Sequence, residues 1–488
     1  MTAFALGLEG ALEGVLILAL PLRVGRTLAT VGFRRKLDAF PRVAAGLRAG
    51  IAGALLLVAL ASLSAWAWRM LAATSAFALA VEAWRARPSF GRGRRLPPGS
   101  LTLVPLGPWV DVDYYQKQAE RHGPVFKMSR LTDPQVCIVD LELGRDFLRR
   151  HDTALEVPPL PFERFVPGGF IRYLAPGPHR TRAAALRTAI SPQVVAAGAA
   201  SVCVVMRDAM LELARRSGSL DPRDAMETAV LRGSAALFFG FEPGSAASKR
   251  LEPLMRTLDY RRARHVTTAD VERALRAALA EIDASAPGGF YGALAAADHA
   301  AARDESNRVN LLYVLNTSCA DMVGLMTWVA HWLATHSEWL GRLRAEAEPT
   351  ALGDRIVRET LRLSQSEYLV RRTTRALDLD GFVVPKGWIV RVCIREIHRS
   401  AGGFAEPLRF SPDRFLEPPG PNAFAPFGAS RLNCLGEPMT LLFGRTLALE
   451  MARYDVLVVD DGPVELGAFH WQPSSRFRVS LTPHAGAP

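Results

Sequence analysis

Cysteine is scarce in this chain. Five residues (Cys137, Cys203, Cys319, Cys393 and Cys434) are scattered over 488 positions, and no two form a C-x-x-C pair. That argues against a disulfide framework and against a zinc site of the usual spacing, and it suits a reducing compartment. No internal repeat or low-complexity tract stands out beyond alanine-rich patches. Net charge is also scarce over most of the chain. The formal total is +11, but residues 1–100 hold thirteen Lys or Arg against four acids (Glu9, Glu13, Asp38, Glu82), a net of +9 that leaves about +2 for everything after them. A surface for nucleic acid would spread basic residues over a folded domain. Here they flank apolar segments, as juxtamembrane charge does, so no nucleic-acid partner is expected.

Hydrophobic residues make up 49% of the chain and charged residues 22%, a balance that fits a globular protein with a membrane-associated part. Residues 51–68 carry no charge, and the apolar character resumes after Arg69 as far as Val81. That length suffices for a spanning helix. Residues 4–22 are nearly as apolar but contain Glu9 and Glu13, four apart on one helical face, so this segment suits the interface or the side of the second segment. No basic region precedes it, which argues against a cleavable signal peptide. Basic clusters lie on both sides of the second segment, which leaves the number of spans and the orientation open. The expected organisation is a membrane anchor over residues 1–90, of one or two apolar helices, and a catalytic domain over 96–488, membrane-associated and on the cytoplasmic side.

The densest local signal runs from Phe424 to Pro438: a loop rich in proline and glycine, holding one cysteine, Cys434, just before a helix-friendly run over residues 440–454. A thiol ahead of a helix feels the positive end of the dipole and unpaired backbone N–H groups, both of which favour the metal-binding thiolate. Phe427, seven residues earlier, and Gly436, two residues later, would let a flat macrocycle approach the backbone. A lone thiolate suits a heme iron, although a buried loop cysteine reads the same way in isolation. Upstream, Glu359 and Arg362 are three apart on one helix face, where opposite charges meet. Between the two lies Phe410-Ser411-Pro412-Asp413-Arg414-Phe415.

This order, with the cysteine loop about seventy residues after the E-x-x-R pair, resembles the cytochrome P-450 superfamily of heme-thiolate enzymes. The resemblance begins near Leu96-Pro97-Pro98-Gly99 and includes His122-Gly123-Pro124-Val125-Phe126-Lys127, similar to that family's first strand. It implies a mainly α fold with a minor β region, here preceded by an N-terminal membrane-associated helical segment. It also implies heme b (iron protoporphyrin IX) with Cys434 as the iron ligand, and a structural triad of Glu359, Arg362 and Arg414 under the heme. The residue pattern agrees with that fold class. It reads as a strand over 136–140 and helices over 142–150, 176–190, 206–215, 225–239 and 266–282. A long apolar helical run follows over 307–344, then a hairpin around Gly381 and Pro385-Lys386-Gly387.

Two departures from the family pattern stand out. On the long helix the family places an acid followed by a threonine over the open heme face, to relay protons during dioxygen activation. Aligning the shared Thr327-Trp328 puts Ala320 at the acid position and Asp321 at the threonine position. Asp321 is therefore the expected catalytic carboxylate, with Thr317 four residues back on the same face and within hydrogen-bonding reach. The groups expected to meet the heme propionates are altered as well. Ser430 replaces a glycine, Leu432 replaces a basic residue with Arg431 beside it, and Ala183 replaces an arginine four residues after His179. Propionates need cationic donors, so the resemblance leaves Arg371, His179 and Arg431 as the candidates.

Three readings follow. One is a monooxygenase inserting an oxygen atom from dioxygen into a hydrophobic small molecule, with electrons from an external reductase or ferredoxin, since the chain shows no flavin or iron–sulfur domain. The second is a dioxygen-independent isomerase or dehydratase, or a peroxide user, which the Ala320-Asp321 pair favours. The third is a heme-binding membrane protein without turnover. Specificity is expected from residues 158–170 and 231–266 and from the strand near Leu369-Val370.

Overall fold

In the computed structural model, residues 95–488 are described apart from 102–106, 131–132, 159–168, 217, 219–220, 259–267, 365–367, 431, 467–469 and 486–488, together with a few positions between 69 and 76. The apolar segments assigned to the membrane anchor, and the boundary at residue 90, lie outside the described residues. So does Arg431.

The chain divides into two compact units, residues 1–106 with 127–135, and residues 107–126 with 136–488. In the smaller unit the Lys127 backbone N–H donates to the Pro98 carbonyl at 2.7 Å and its Nζ donates to Pro97 at 2.8 Å. The larger unit is mainly helical. Its helices used below are α1 (Tyr114–His122), α2 (Leu141–Arg150), α3 (Pro176–Ala189), α4 (Ala199–Arg215), α5 (Pro222–Phe239), α6 (Glu305–Thr335), α7 (Glu338–Ala345), α8 (Pro349–Ser364), α9 (Ile394–His398) and α10 (Glu437–Met451). The large hydrophobic core is built from α4, α5, α6, α8 and α10. At the centre lies α6, 31 residues long, capped by Asp304, whose side chain accepts from the Asn307 N–H at 3.0 Å. It is long and apolar enough to cross a membrane, yet most of it is buried inside the fold, so its composition is that of a core helix. Helices α8 and α10 pack closely at Gly444, where a Cβ would come within 2.4 Å of the Val357 side chain. That approach fixes the middle of α10 against the helix bearing Glu359 and Arg362.

A small sheet flanks this core. Strand β1 (Leu155–Glu156) pairs antiparallel with β2 (Leu369–Thr373), which pairs with β3 (Ile389–Val392). The β2–β3 register sets Val370 opposite Arg391 and Arg371 opposite Val390. Leu377–Leu379 and Phe382–Val384 form the hairpin expected around Gly381.

Several sequence boundaries shift. The apolar run over 307–344 is two helices, α6 and α7, separated at His336 and Ser337, where the Thr335 hydroxyl donates to the His331 carbonyl at 2.8 Å and lies 3.0 Å from His336 Nδ1. The helix expected over 440–454 begins earlier, at Glu437, and ends at Met451, with Tyr454 opening a strand. The helix read from residue 206 begins at Ala199, since small residues at its start hide its periodicity.

Candidate active site

The loop from Phe424 to Gly436 is held by its own backbone. The Cys434 N–H donates to the Phe427 carbonyl at 2.7 Å, and the Gly436 N–H donates to the Cys434 sulfur at 3.3 Å. Gly428 has φ +111°, and a Cβ there would lie 3.1 Å from Asn433 Oδ1, so the turn requires glycine at this position. Gly436 is different. Its φ is −87°, and a Cβ would make ordinary contacts at 3.6 and 3.7 Å, so its expected role as a point of close approach is not forced by the backbone. Phe427 is half-buried and packs against the large core.

Cys434 is exposed to solvent-sized space, yet burial pushes its thiol up to about 11. The Gly436 N–H pulls the other way, while the Asp321 and Glu437 carboxylates add to the rise. The sulfur is thus accessible and yet has enough protein around it to be desolvated. The expectation that loop and dipole favour the thiolate is opposed by desolvation, which raises the thiol when nothing is bound to it.

Asp321 lies close enough for its charge to be felt at Cys434. Along α6, Ala320 and residues 322–330 are buried, whereas the Asp321 side chain is 60% exposed, an opening in an otherwise packed helix. Its Oδ1 lies 3.2 Å from His470 Nε2. Thr317 is not the partner the four-residue spacing suggested. Its hydroxyl donates to the Tyr313 and Val314 carbonyls of its own helix, at 3.1 and 3.2 Å. A threonine inside a helix finds those acceptors without reorientation. His470 had no local signal in the sequence, because it precedes a two-residue strand, Trp471–Gln472, far along the chain. Its ring also lies 6.4 Å from that of Tyr368.

Arg371 is buried and donates from Nη2 to the Ser430 hydroxyl at 3.1 Å and from Nη1 to the Val370 carbonyl at 2.7 Å. The same hydroxyl accepts from the Leu432 N–H at 3.3 Å, so the serine that replaces a glycine ties the arginine to the cysteine loop. His179 is buried in the first turn of α3, one turn before the fully buried Ala183.

Beneath the loop lies a closed polar network. Glu359 and Arg362 are both 0% exposed. Arg362 binds the carboxylate through Nε at 2.7 Å and Nη2 at 2.9 Å, and donates to the carbonyls of His398, Pro407 and Arg409. Arg414 Nε and the Ser411 N–H donate to Glu359 Oε1 at 3.0 and 2.8 Å. His398 links network and loop: its Nε2 accepts from the Ala425 N–H at 2.9 Å. Burial, with the Arg362 charge adding, pulls its ring down to about 3, so it stays neutral and keeps that acceptor.

The donor set fits a heme. Cys434 is an accessible thiol, the buried Arg371 is tied to its loop through Ser430, and the Asp321 carboxylate, paired with His470, is close enough for its charge to reach the sulfur. Among the described residues no cluster of three or more His, Cys, Asp or Glu offers a multidentate metal site.

Comparison with known proteins agrees. Residues 350–458 match the family model "Cytochrome P450". Abscisic acid 8'-hydroxylase 3 of Oryza sativa subsp. indica is 26% identical over 404 residues, covering 71% of this chain and 78% of the relative. Cytochrome P450 26B1 of Xenopus tropicalis is 38% identical over a shorter stretch of 105 residues, 20% of each chain. Among solved structures, the retinoic acid-bound cyanobacterial CYP120A1 superposes with a TM-score of 0.66 at 20% identity, covering 80% of this chain and all of that one. A zebra fish cytochrome P450 with progesterone superposes with a TM-score of 0.61 at 18% identity, over 76% of this chain and 98% of that one. At such identities the structural likeness speaks for the fold.

Proposed function

The chain belongs to the cytochrome P450 superfamily, and from that premise we propose that Cys434 would hold the iron of its heme and that the region between Cys434 and Asp321 is where an apolar small molecule would be oxygenated. The enzyme is a cytochrome P450-type monooxygenase. The observation that carries the site assignment is Cys434 itself, its thiol accessible and accepting from the Gly436 N–H, its backbone N–H held by the Phe427 carbonyl. When bound, heme supplies the redox and dioxygen chemistry, with thiolate electron density favouring O–O cleavage.

The protein's part is placement and proton handling. Arg371, steadied by Ser430, and His179 are the cations assigned to the propionates. Glu359, Arg362 and Arg414 hold the floor beneath the cysteine loop. Asp321 keeps an exchangeable proton between Oδ1 and His470 Nε2. Electrons come from an external reductase or ferredoxin. The relatives named for abscisic acid support an apolar substrate that carries an acid group.

Dioxygen consumption by the purified holoprotein, dependent on an added donor system, tests this reading. Asp321→Asn should lower that donor-supported turnover by about 100-fold, the low end of what a positioned proton donor contributes. Heme content should stay normal and peroxide release should rise. A wild-type rate with unchanged peroxide release makes the carboxylate structural. A second reading, a dioxygen-independent or peroxide-using heme-thiolate enzyme, is favoured by one observation: the Thr317 hydroxyl is engaged with its own helix. Turnover that survives removal of dioxygen and of the donor would select it.

We further propose that residues 1–90 anchor the enzyme to a membrane, with residues 96–488 as the catalytic domain on the cytoplasmic side. Deletion of residues 1–90 should move most of the protein into the soluble fraction with its heme spectrum intact. Full retention of the truncated form in the membrane fraction counts against the anchor.

A further inference from the structure

Arg362 and Arg391 are the most deeply buried arginines among the described residues, and they are treated in opposite ways. Arg362, at 0% exposure, makes five hydrogen bonds, two to a carboxylate and three to carbonyls. Arg391, at 3% exposure on β3, meets no hydrogen-bond acceptor among the described residues, and its Nε is fully enclosed without one. What surrounds it is aromatic. Its Cζ lies 4.0 Å from the Tyr115 ring centroid and 3.8 Å from that of Tyr368. These rings favour the cation and hold its plane, but they do not use its N–H donors, which lie in that plane. Glu396 is the carboxylate whose charge reaches Arg391, and it is itself paired with Arg395 at 3.7 Å. A guanidinium stays charged under these conditions, and a buried charge without a partner is costly. The fold has built a rigid, desolvated cation and left its hydrogen-bonding edge for something else.

Its position says where that partner comes from. Tyr368, stacked on Arg391, lies 6.4 Å ring to ring from His470, and His470 is paired with Asp321. Arg391 is also the register partner of Val370, on the strand next to Tyr368. We propose that Arg391 is the counter-ion for a carboxylate on the substrate. The guanidinium fork binds the acid group edge-on, and the apolar body extends past Tyr368 toward Asp321 and Cys434. The contacts of Arg391 include no second cation, which suits a monoanion and a planar, bidentate carboxylate. The inference rests on the reading of the region between Cys434 and Asp321 as a substrate site.

Binding tests it without electrons or dioxygen, so its failure and the failure of the monooxygenase reading are separable. Dodecanoic, hexadecanoic and abietic acids, each beside its methyl ester and its alcohol, are titrated into the full-length holoprotein by calorimetry. At least one acid should bind about 30-fold or more tighter than its neutral counterparts, the factor equivalent to about 2 kcal/mol. Arg391→Gln and Arg391→Met should shrink that preference to within about threefold while heme content and ester affinity stay as in the wild type. Arg391→Lys should keep part of the preference, since it retains the charge but loses the fork. A panel in which no acid outbinds its ester and alcohol, including one in which nothing binds, overturns the proposal, as does a preference that survives in the Gln and Met variants. Should those variants fail to hold heme, a structure of the wild-type protein with the acid decides: a carboxylate beyond hydrogen-bond distance of Arg391 overturns the proposal.

Discussion

Glu359→Gln and Arg362→Ala are expected to yield little soluble, heme-replete protein. Both side chains are 0% exposed, and each satisfies the other. Removing the guanidinium strands a carboxylate and leaves three carbonyls without their donor; removing the negative charge strands two arginines. Breaking a buried pair from one side costs about 3–5 kcal/mol, a large part of the roughly 5–15 kcal/mol that holds a domain together. The effect should therefore appear in yield, heme-to-protein ratio and melting temperature, with no folded enzyme of altered rate. Arg414→Ala should be milder, because that side chain is partly exposed and water can replace some of its bonds. Heme-replete Arg362→Ala that melts with the wild type would contradict the assignment of this network as the floor of the site.

Cys434→Ala should abolish heme retention and with it the red-shifted band that thiolate ligation gives the reduced carbon monoxide adduct. Alanine substitutions at Cys137, Cys203, Cys319 and Cys393 should leave that band in place. The contrast follows from accessibility: Cys137 and Cys393 are buried in the sheet region, whereas Cys434 is exposed. The unliganded thiol is held protonated, with burial pushing it up to about 11, so heme uptake must displace a proton. An unchanged spectrum in Cys434→Ala would falsify the ligand assignment.

What the sequence disclosed is what depends on near neighbours. Glu359 and Arg362 are three residues apart on one helix, and that spacing alone brings a carboxylate and a guanidinium together. The cysteine loop carries its own glycine and proline punctuation, and the hairpin around Gly381 its own turn. The mainly α fold with a minor β region followed from such local patterns together with the family likeness. The features missed are those set by burial or by distant contacts. His470 reaches Asp321 from 149 residues away, so the four-residue neighbour Thr317 looked like the better partner. Arg391 reads in sequence as a basic residue on a strand, which is most often solvated; only the packing of Tyr115 and Tyr368 shows otherwise. The rise in the Cys434 thiol was missed for the same reason, because the dipole and N–H groups are visible in sequence and desolvation is not.

The register between β2 and β3 has a consequence of its own. Opposed residues of an antiparallel pair share a face and successive residues alternate, so Arg371 with Val390 looks one way and Val370 with Arg391 the other. The two-strand ladder thus carries one guanidinium on each face, the first joined to the cysteine loop at Ser430, the second clasped by Tyr115 and Tyr368. A slip of one residue would turn both cations to the wrong faces at once. What guards against it is the far end of the ladder, where Thr373 takes the Gly387 N–H at 2.8 Å, donates its N–H to Trp388 at 3.0 Å and fastens its hydroxyl to Pro385 at 2.6 Å. The bonds that Thr373 makes to Pro385, Gly387 and Trp388 therefore set the orientation of both arginines together. A residue inserted within those bonds is expected to disturb both sites at once, whereas one inserted at the Gly381 turn beyond them is expected to be absorbed in the loop.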